Sequence, residues 1–247
     1  MAERGLAMSF QRDLRLLAER LTKTRILPVR DLPRGIDVAC DLAEAFPDYD
    51  VQVVFDVGAN VGQSAKSYLR WFPEASIYCF EPVRGNFNAL QASLKGEERV
   101  RCEKLGFGAC KGEAEMALEA DSSMHHILSG RPVGASATER IAVDTVDSYC
   151  QRNGVNRISF MKIDTEGWDL EVLRGASRML ASHAIDFVEV EAGMNPGNTR
   201  HVSFEQLRDF LQSNGYQLFA IYEQVPEWPT RKNHLRRTNP LFLSPRM

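Results

Sequence analysis

The sequence predicts an α/β fold: a mostly parallel β-sheet with helices on both faces and an antiparallel strand at its edge. Three observations carry this. From Val53 onward, short apolar runs alternate with longer segments of helical periodicity, the pattern of strand–helix–strand units in a parallel sheet. The first run ends in a glycine turn, Asp56-Val57-Gly58-Ala59-Asn60-Val61-Gly62, directly ahead of a helical segment. Near the C-terminus two apolar runs follow one another with no helix between them, which suits antiparallel pairing.

Taken in order, "FQRDLRLLAERL" (Phe10–Leu21) repeats apolar residues at helical spacing and reads as an amphipathic helix, for core packing or a dimer contact. Residues 1–50 then form an N-terminal helical extension and 51–247 the main domain. "VQVVFDVG" is a buried strand and "NVGQSAKSYLRWF" the helix after it. "SIYCFEP" is a second strand closed by Pro82, followed by the helix "NFNALQASLK" and a third strand in "RVRCEKLGF". "GEAEMALEA" alternates like a half-exposed strand. Residues Leu118–Arg140 fit neither period and read as an inserted substrate loop, because long loops in compact domains are often functional. "RIAVDTVDSYCQRNG" runs from strand to helix and stops at Gly154. "RISFMKIDTEG" is strand and turn, and "WDLEVLRGASRML" is a helix whose apolar stripe faces the sheet. "AIDFVEVEAG" is a strand. "SFEQLRDFLQSNG" is a helix between an N-cap at Ser203 and a stop at Gly215. "YQLFAIYEQ" and "PLFLS" are the late strands.

Composition narrows the function. Thirty Lys and Arg stand against 33 Asp and Glu, a formal charge of −3, so the chain lacks the basic surplus of a nucleic-acid binder. "RKNHLRR" (Arg231–Arg237) is a local basic run whose simplest reading is a solvated loop. Five scattered cysteines, none in CxxC spacing, read as reduced apolar fillers of a cytoplasmic chain. No apolar run approaches the roughly 20 residues of a membrane span.

The glycine turn has the order D-x-G-x-x-x-G. Gly58 allows a sharp turn and close approach of a ligand, and the following helix aims its free N–H groups back at it. A dinucleotide-binding turn would read G-x-G-x-x-G. An acid ahead of the turn repels a pyrophosphate but receives a cation, so S-adenosylmethionine, with ammonium, sulfonium and carboxylate, suits it better. The second strand ends in Glu81-Pro82, where an acid receives ribose hydroxyls in nucleotide-binding α/β folds. Asp56, Gly58, Ala59, Asn60, Gly62, Ser64, Glu81 and Pro82 are thus the expected cofactor residues.

"VVFDVGANVGQSA", "CFEPVRGNFNAL", "GEAEM", "VDTVDSY" and above all "ISFMKIDTEGWDLEVLRGA" together resemble the FkbM-type S-adenosylmethionine-dependent methyltransferases, from about Val53 to Tyr222. The resemblance implies a class I methyltransferase fold with a seven-stranded, Rossmann-like sheet containing one antiparallel strand. It also implies O-methylation of a hydroxyl on a sugar, glycan or other natural-product small molecule. It places adenine contacts at Gly106 and Phe107, with Ala109 standing where the family often has an acid.

Two further acids end strands on the side where ligands bind, Asp164 and Glu191. Asp164 is expected at the cofactor and as the group that orients the acceptor hydroxyl or takes its proton; Glu191 is its neighbour. Together they leave a Mg²⁺ ion open, although no HxH or tight acid triad calls for a metal. His125 and His126 in the inserted loop are candidate bases, and His201 a further one. Two rivals stand beside the methyltransferase: a nicotinamide-dependent oxidoreductase, and a non-catalytic S-adenosylmethionine-binding protein.

Overall fold

The computed structural model describes residues 16–17, 19–24, 28, 31–118, 126–127 and 137–247. Its main sheet has eight strands. Five are parallel: β1 (Val53–Val57), β2 (Ser76–Phe80), β3 (Val100–Glu103), β8 (Ile158–Ile163) and β9 (Ile185–Val190). Their order is β3-β2-β1-β8-β9, so the chain starts at the centre, winds outward to β3, then crosses to the other half. β12 (Leu235–Leu243) runs antiparallel beside β9, and β11 (Gln217–Pro226) lies outside it. The two-residue β10 (Ala192–Gly193) also pairs with β12, in line with β9. β9 and β10 are therefore one strand interrupted at Glu191. The C-terminal strand pair is the antiparallel end that the sequence predicts, with β12 one place in from the edge. This strand order is that of the class I methyltransferase fold.

The strand period of two divides the core. Phe55, Val57, Met161, Ile163, Val188 and Val190 face helices α4 (Val146–Asn153), α5 (Asp169–Gly175), α6 (Ser177–Ala181) and α7 (Phe204–Ser213). Val54, Ile77, Phe160 and Phe187 face α1 (Val38–Ala45), α2 (Gln63–Trp71) and α3 (Arg84–Ser93). Each fully buried Phe, Ile or Leu contributes about 1.5–3 kcal/mol. Thr145 caps α4 by accepting from Ser148 N, Gly154 ends it at φ +69°, and Ser203 caps α7 through Gln206 N.

Several expectations need correction. The third strand divides after Glu103: β4 (Gly106–Phe107) leaves the main sheet and joins a small four-stranded sheet ordered β4-β7-β5-β6. That sheet contains β5 (Gly112–Ala117), β6 (His126–Ile127) and β7 (Thr138–Asp144), so both borders and one piece of the expected loop are paired backbone. The helix after Trp168 breaks at Ala176 into α5 and α6. Part of the extension, from Val38 on, packs against the sheet. Val38 and Leu42 of α1 are buried against the sheet, Tyr222 donates to Asp41, and Tyr49 donates to Asp186. Of the expected N-terminal helix, 16–17 and 19–22 are helical with Leu17 and Leu21 exposed; 10–15 and 18 lie outside the described residues.

Candidate active site

The carboxyl ends of β1, β2 and β8 open into a cleft of about 180 Å³. Gly58, Asn60, Glu81, Pro82, Gly106, Phe107, Asp164 and Glu191, all expected from sequence, line it together with Met116, Thr165, Glu166, Trp168 and Arg237. Residues from seven separate segments thus reach one space.

The glycine turn is built by backbone contact. Gly58 has φ +86°, and a Cβ there would sit 1.9 Å from the Asp164 carbonyl oxygen. Only glycine lets β1 turn this close to the end of β8. Gly58 N and Ala59 N both donate to Phe80 O at 3.0 Å, fastening the turn to β2. Asn60, at φ +49°, donates its N–H to Glu81 Oε2 at 3.0 Å, and Val83 N donates to Glu81 Oε1 at 2.8 Å. The Glu81 carboxylate is thereby oriented while keeping lone pairs for further donors. Burial pushes its pKa up to about 7, against the lowering effect of those two N–H groups.

The remaining turn residues lie elsewhere. Asp56 is fully buried on the opposite face of the sheet, because alternation sends it away from Val57. Both its oxygens lack a hydrogen-bond partner among the described residues, and burial raises its pKa to about 6 despite the Lys162 charge. Ala59 is buried outside the cleft. A Cβ on Gly62 would meet Ser93, Leu90 and Leu94 at 3.0–3.2 Å, so its glycine serves packing on α3. Ser64 accepts from Lys162 Nζ at 3.2 Å and lines a second cavity.

The "KIDTEGWDLEVLRGA" block now has a physical reading. Buried Asp169 accepts from Thr165 N and Gly167 N and so holds the turn. Glu166 takes φ +52°, and Gly167 passes Arg200 so closely that a Cβ would lie 2.1 Å from its carbonyl oxygen. Gly175 makes the same approach to Gly108, docking α5 on the loop after β4. The turn thus presents Asp164, Thr165 and Glu166 to the cleft. Thr165 Oγ1 and Trp168 Nε1 are buried there without hydrogen-bond partners among the described residues.

Asp164 accepts from Lys162 Nζ at 2.8 Å. Burial works to raise its pKa, but the adjacent Lys162 ammonium holds it below the usual range. It is a stable negative charge, and hence a weak base. Glu191 does not touch it. Its Oε1 pairs with Arg237 at 2.8 Å, and its Oε2 lies 3.1 Å from His201 Nε2. Glu166 Oε2 lies 3.7 Å from the same nitrogen and pairs with Arg200. Burial and then the Glu191 charge raise the Glu166 pKa. His201 Nδ1 lies 2.8–3.0 Å from the Asn198 amide, which also donates to Arg236 O. Glu166, Glu191 and His201 can bring one ligand atom each within 4.8 Å of the others. A carboxylate–histidine cluster therefore exists although no local sequence spacing announces it.

His125 lies outside the described residues, and His126 is described only as backbone of β6. His201 and Glu166 carry the larger share of the geometry. The signal for them was faint: a Gly/Pro/Asn-rich turn before His201, and a glycine directly after Glu166. Within "RKNHLRR", Arg236 and Arg237 are not solvated loop but β12 residues paired with Glu227 and Glu191.

The methyltransferase FkbM domain profile matches residues 56–218, more than half of the chain. Methyltransferase 1 of Beauveria bassiana is 25% identical over 78% of this chain and 81% of its own length. Hexuronic acid methyltransferase AglP of Haloferax volcanii is 26% identical over 68% and 67%. 2-O-methyltransferase NoeI of Sinorhizobium fredii is 24% identical over 75% and 78%. The glycine turn, the Glu81 cradle and the Asp169-held turn all fall within the matched span, and the chain belongs to the FkbM family of S-adenosylmethionine-dependent methyltransferases.

Proposed function

We propose that this enzyme methylates a hydroxyl oxygen of a sugar or related small molecule, with Glu191 and His201 receiving the proton. The observation that carries this is the polarity of the cleft. One end offers a ribose-type cradle at Glu81, and the other a buried carboxylate–histidine pair. The names of the hexuronic acid and 2-O-methyltransferase relatives support a sugar acceptor.

The residues fit S-adenosylmethionine. Glu81 has spare lone pairs for ribose hydroxyls, Pro82, Gly106, Phe107 and Met116 make an apolar wall for adenine, and Gly58 leaves backbone room for the methionine end. Thr165 and Trp168 have polar atoms to give. The cofactor supplies a sulfonium methyl, already electrophilic. What the protein adds is alignment, exclusion of water and a place for the proton, of which alignment alone contributes up to about 7–11 kcal/mol in the best intramolecular cases. Asp164 sets a fixed negative charge beside the cation. Glu191 is held by Arg237 through Oε1, while its Oε2, unbonded among the described residues and 3.1 Å from His201 Nε2, takes the hydroxyl proton and passes it to His201.

Glu166, Glu191 and His201 also have the geometry of a divalent-cation site. Arg200 and Arg237 pair with these carboxylates, which supports a reading in which the proton transfer needs no ion.

Calorimetric titration of S-adenosylhomocysteine, then methyl transfer to a panel of sugars with EDTA or Mn²⁺, tests the reading. Micromolar binding, lost in Glu81→Ala, with turnover that survives EDTA and falls at least about a hundredfold in His201→Ala, supports it. Binding of NAD in place of S-adenosylhomocysteine would overturn it, and activity restored only by Mn²⁺ would replace the base with a metal.

A further inference from the structure

A second cavity, of about 280 Å³, lies on the other face of the sheet between α2 and the segment 36–38. Its walls are aromatic and acidic: Tyr68, Trp71 and Tyr222 with Glu189, Glu223 and Asp37. Lys162 is its one cation among the described lining residues. That ammonium is already committed, to Asp164 Oδ2 at 2.8 Å and Ser64 Oγ at 3.2 Å. Glu189 is buried, faces the cavity, and accepts no hydrogen bond among the described residues. On the same face, beyond Lys162, lies Asp56, fully buried and with neither oxygen hydrogen-bonded among the described residues. Carboxylates with open acceptor sites, walled by aromatic rings, are the chemistry of ammonium recognition.

The cavity adjoins the methyl-transfer cleft at two points. Lys162 lines the cavity and Asp164 the cleft, and they share the ion pair just given. Glu223 lines the cavity, Arg237 lines the cleft, and they are 4.0 Å apart.

We propose that this cavity holds the acceptor by an ammonium group, making the acceptor an amino sugar or amino alcohol whose hydroxyl reaches toward the cleft. The proposal rests on the methyl-transfer reading for the word acceptor, and on the cavity alone for the ammonium. A carboxylate-bearing sugar is excluded by the same acids. Glu189 and Glu223 receive the ammonium, the aromatic walls cover its carbon skeleton, and Lys162 keeps Asp164 charged.

Two tryptophans report the two spaces separately, Trp168 in the cleft and Trp71 in the cavity. The test is a ¹⁵N NMR titration of the full chain, with the indole signals assigned by Trp→Phe variants. S-adenosylhomocysteine is added first, followed by glucosamine, glucose or glucuronate. The expected result is that glucosamine moves the Trp71 signal, glucuronate does not, and glucose binds more weakly. The rim variant Glu223→Gln should weaken glucosamine by about tenfold, the worth of one charge-assisted contact, and Glu189→Gln, which removes an acceptor oxygen, should weaken it as well. Equal midpoints for glucose and glucosamine, unchanged midpoints in both variants, or a Trp71 signal that no sugar moves would overturn the proposal. If S-adenosylhomocysteine fails to move Trp168, the methyl-transfer reading fails instead, whatever Trp71 shows.

Discussion

Glu81 shows how one side chain joins fold and ligand. Its carboxylate is fixed by two backbone N–H groups and buried enough to titrate at about 7. Ribose hydroxyls need it ionised, since the protonated form replaces an acceptor with a donor. Affinity for S-adenosylhomocysteine should therefore be full above pH 7 and weaken by about tenfold per pH unit below it. Calorimetry at pH 6, 7 and 8 checks this, and Glu81→Gln should flatten the profile. Gly58 answers to sterics. Gly58→Ala faces an overlap with Asp164 O and a positive φ, a strain of about 1–3 kcal/mol for the dihedral alone. A lowered melting temperature together with lost cofactor binding is the expected result, and retention of both would mean that the turn has another geometry.

Among the elements, β1, β8 and β9 carry a charged row through the middle of the sheet: Asp56, Lys162 and Glu189 side by side. Burial acts to lower the Lys162 pKa, but the Asp164 and Asp56 carboxylates hold it above its ordinary value. Burial raises Glu189 to about 8 against the Lys162 charge. Removing the cation leaves the acids uncompensated, so Lys162→Met should cost about 3–5 kcal/mol in denaturant unfolding. A change below about 1 kcal/mol would show that the acids are protonated without it. Sequence periodicity made the strands legible because each buries a continuous apolar run. It placed Asp56 at the ligand because a strand-end acid before a glycine reads as a ligand group. The pleat, which turns alternate residues to opposite faces, decided otherwise. The meeting of Glu166 with His201 was hidden for a different reason: they are 35 residues apart in sequence, and the Gly167–Arg200 contact brings their segments together.

At the scale of the whole molecule, part of the N-terminal extension packs into the core of the sheet. α1 and the turn after it give Leu42, Phe46 and Tyr49 to the core around Phe187, and Asp186 is held by both Tyr49 and Arg157. A chain beginning at Val51 should lose at least about 3 kcal/mol, since deleting one buried leucine side chain already costs about 2–5. Thermal denaturation of 51–247 beside the full chain measures it, and equal melting temperatures would return residues 38–50 to the status of an appendage.

The register of β1 sets the order of events during synthesis. Its residue Val54 pairs with Ile77 on one side and with Phe160 on the other. The first partner emerges from the ribosome almost at once, the second only after about a hundred further residues. At about 5–20 residues per second, the strand destined for the centre spends several seconds as an open, apolar edge. Nascent chains stalled before β8 should accordingly be the ones that recruit chaperones, and the completed β8 the point at which they let go.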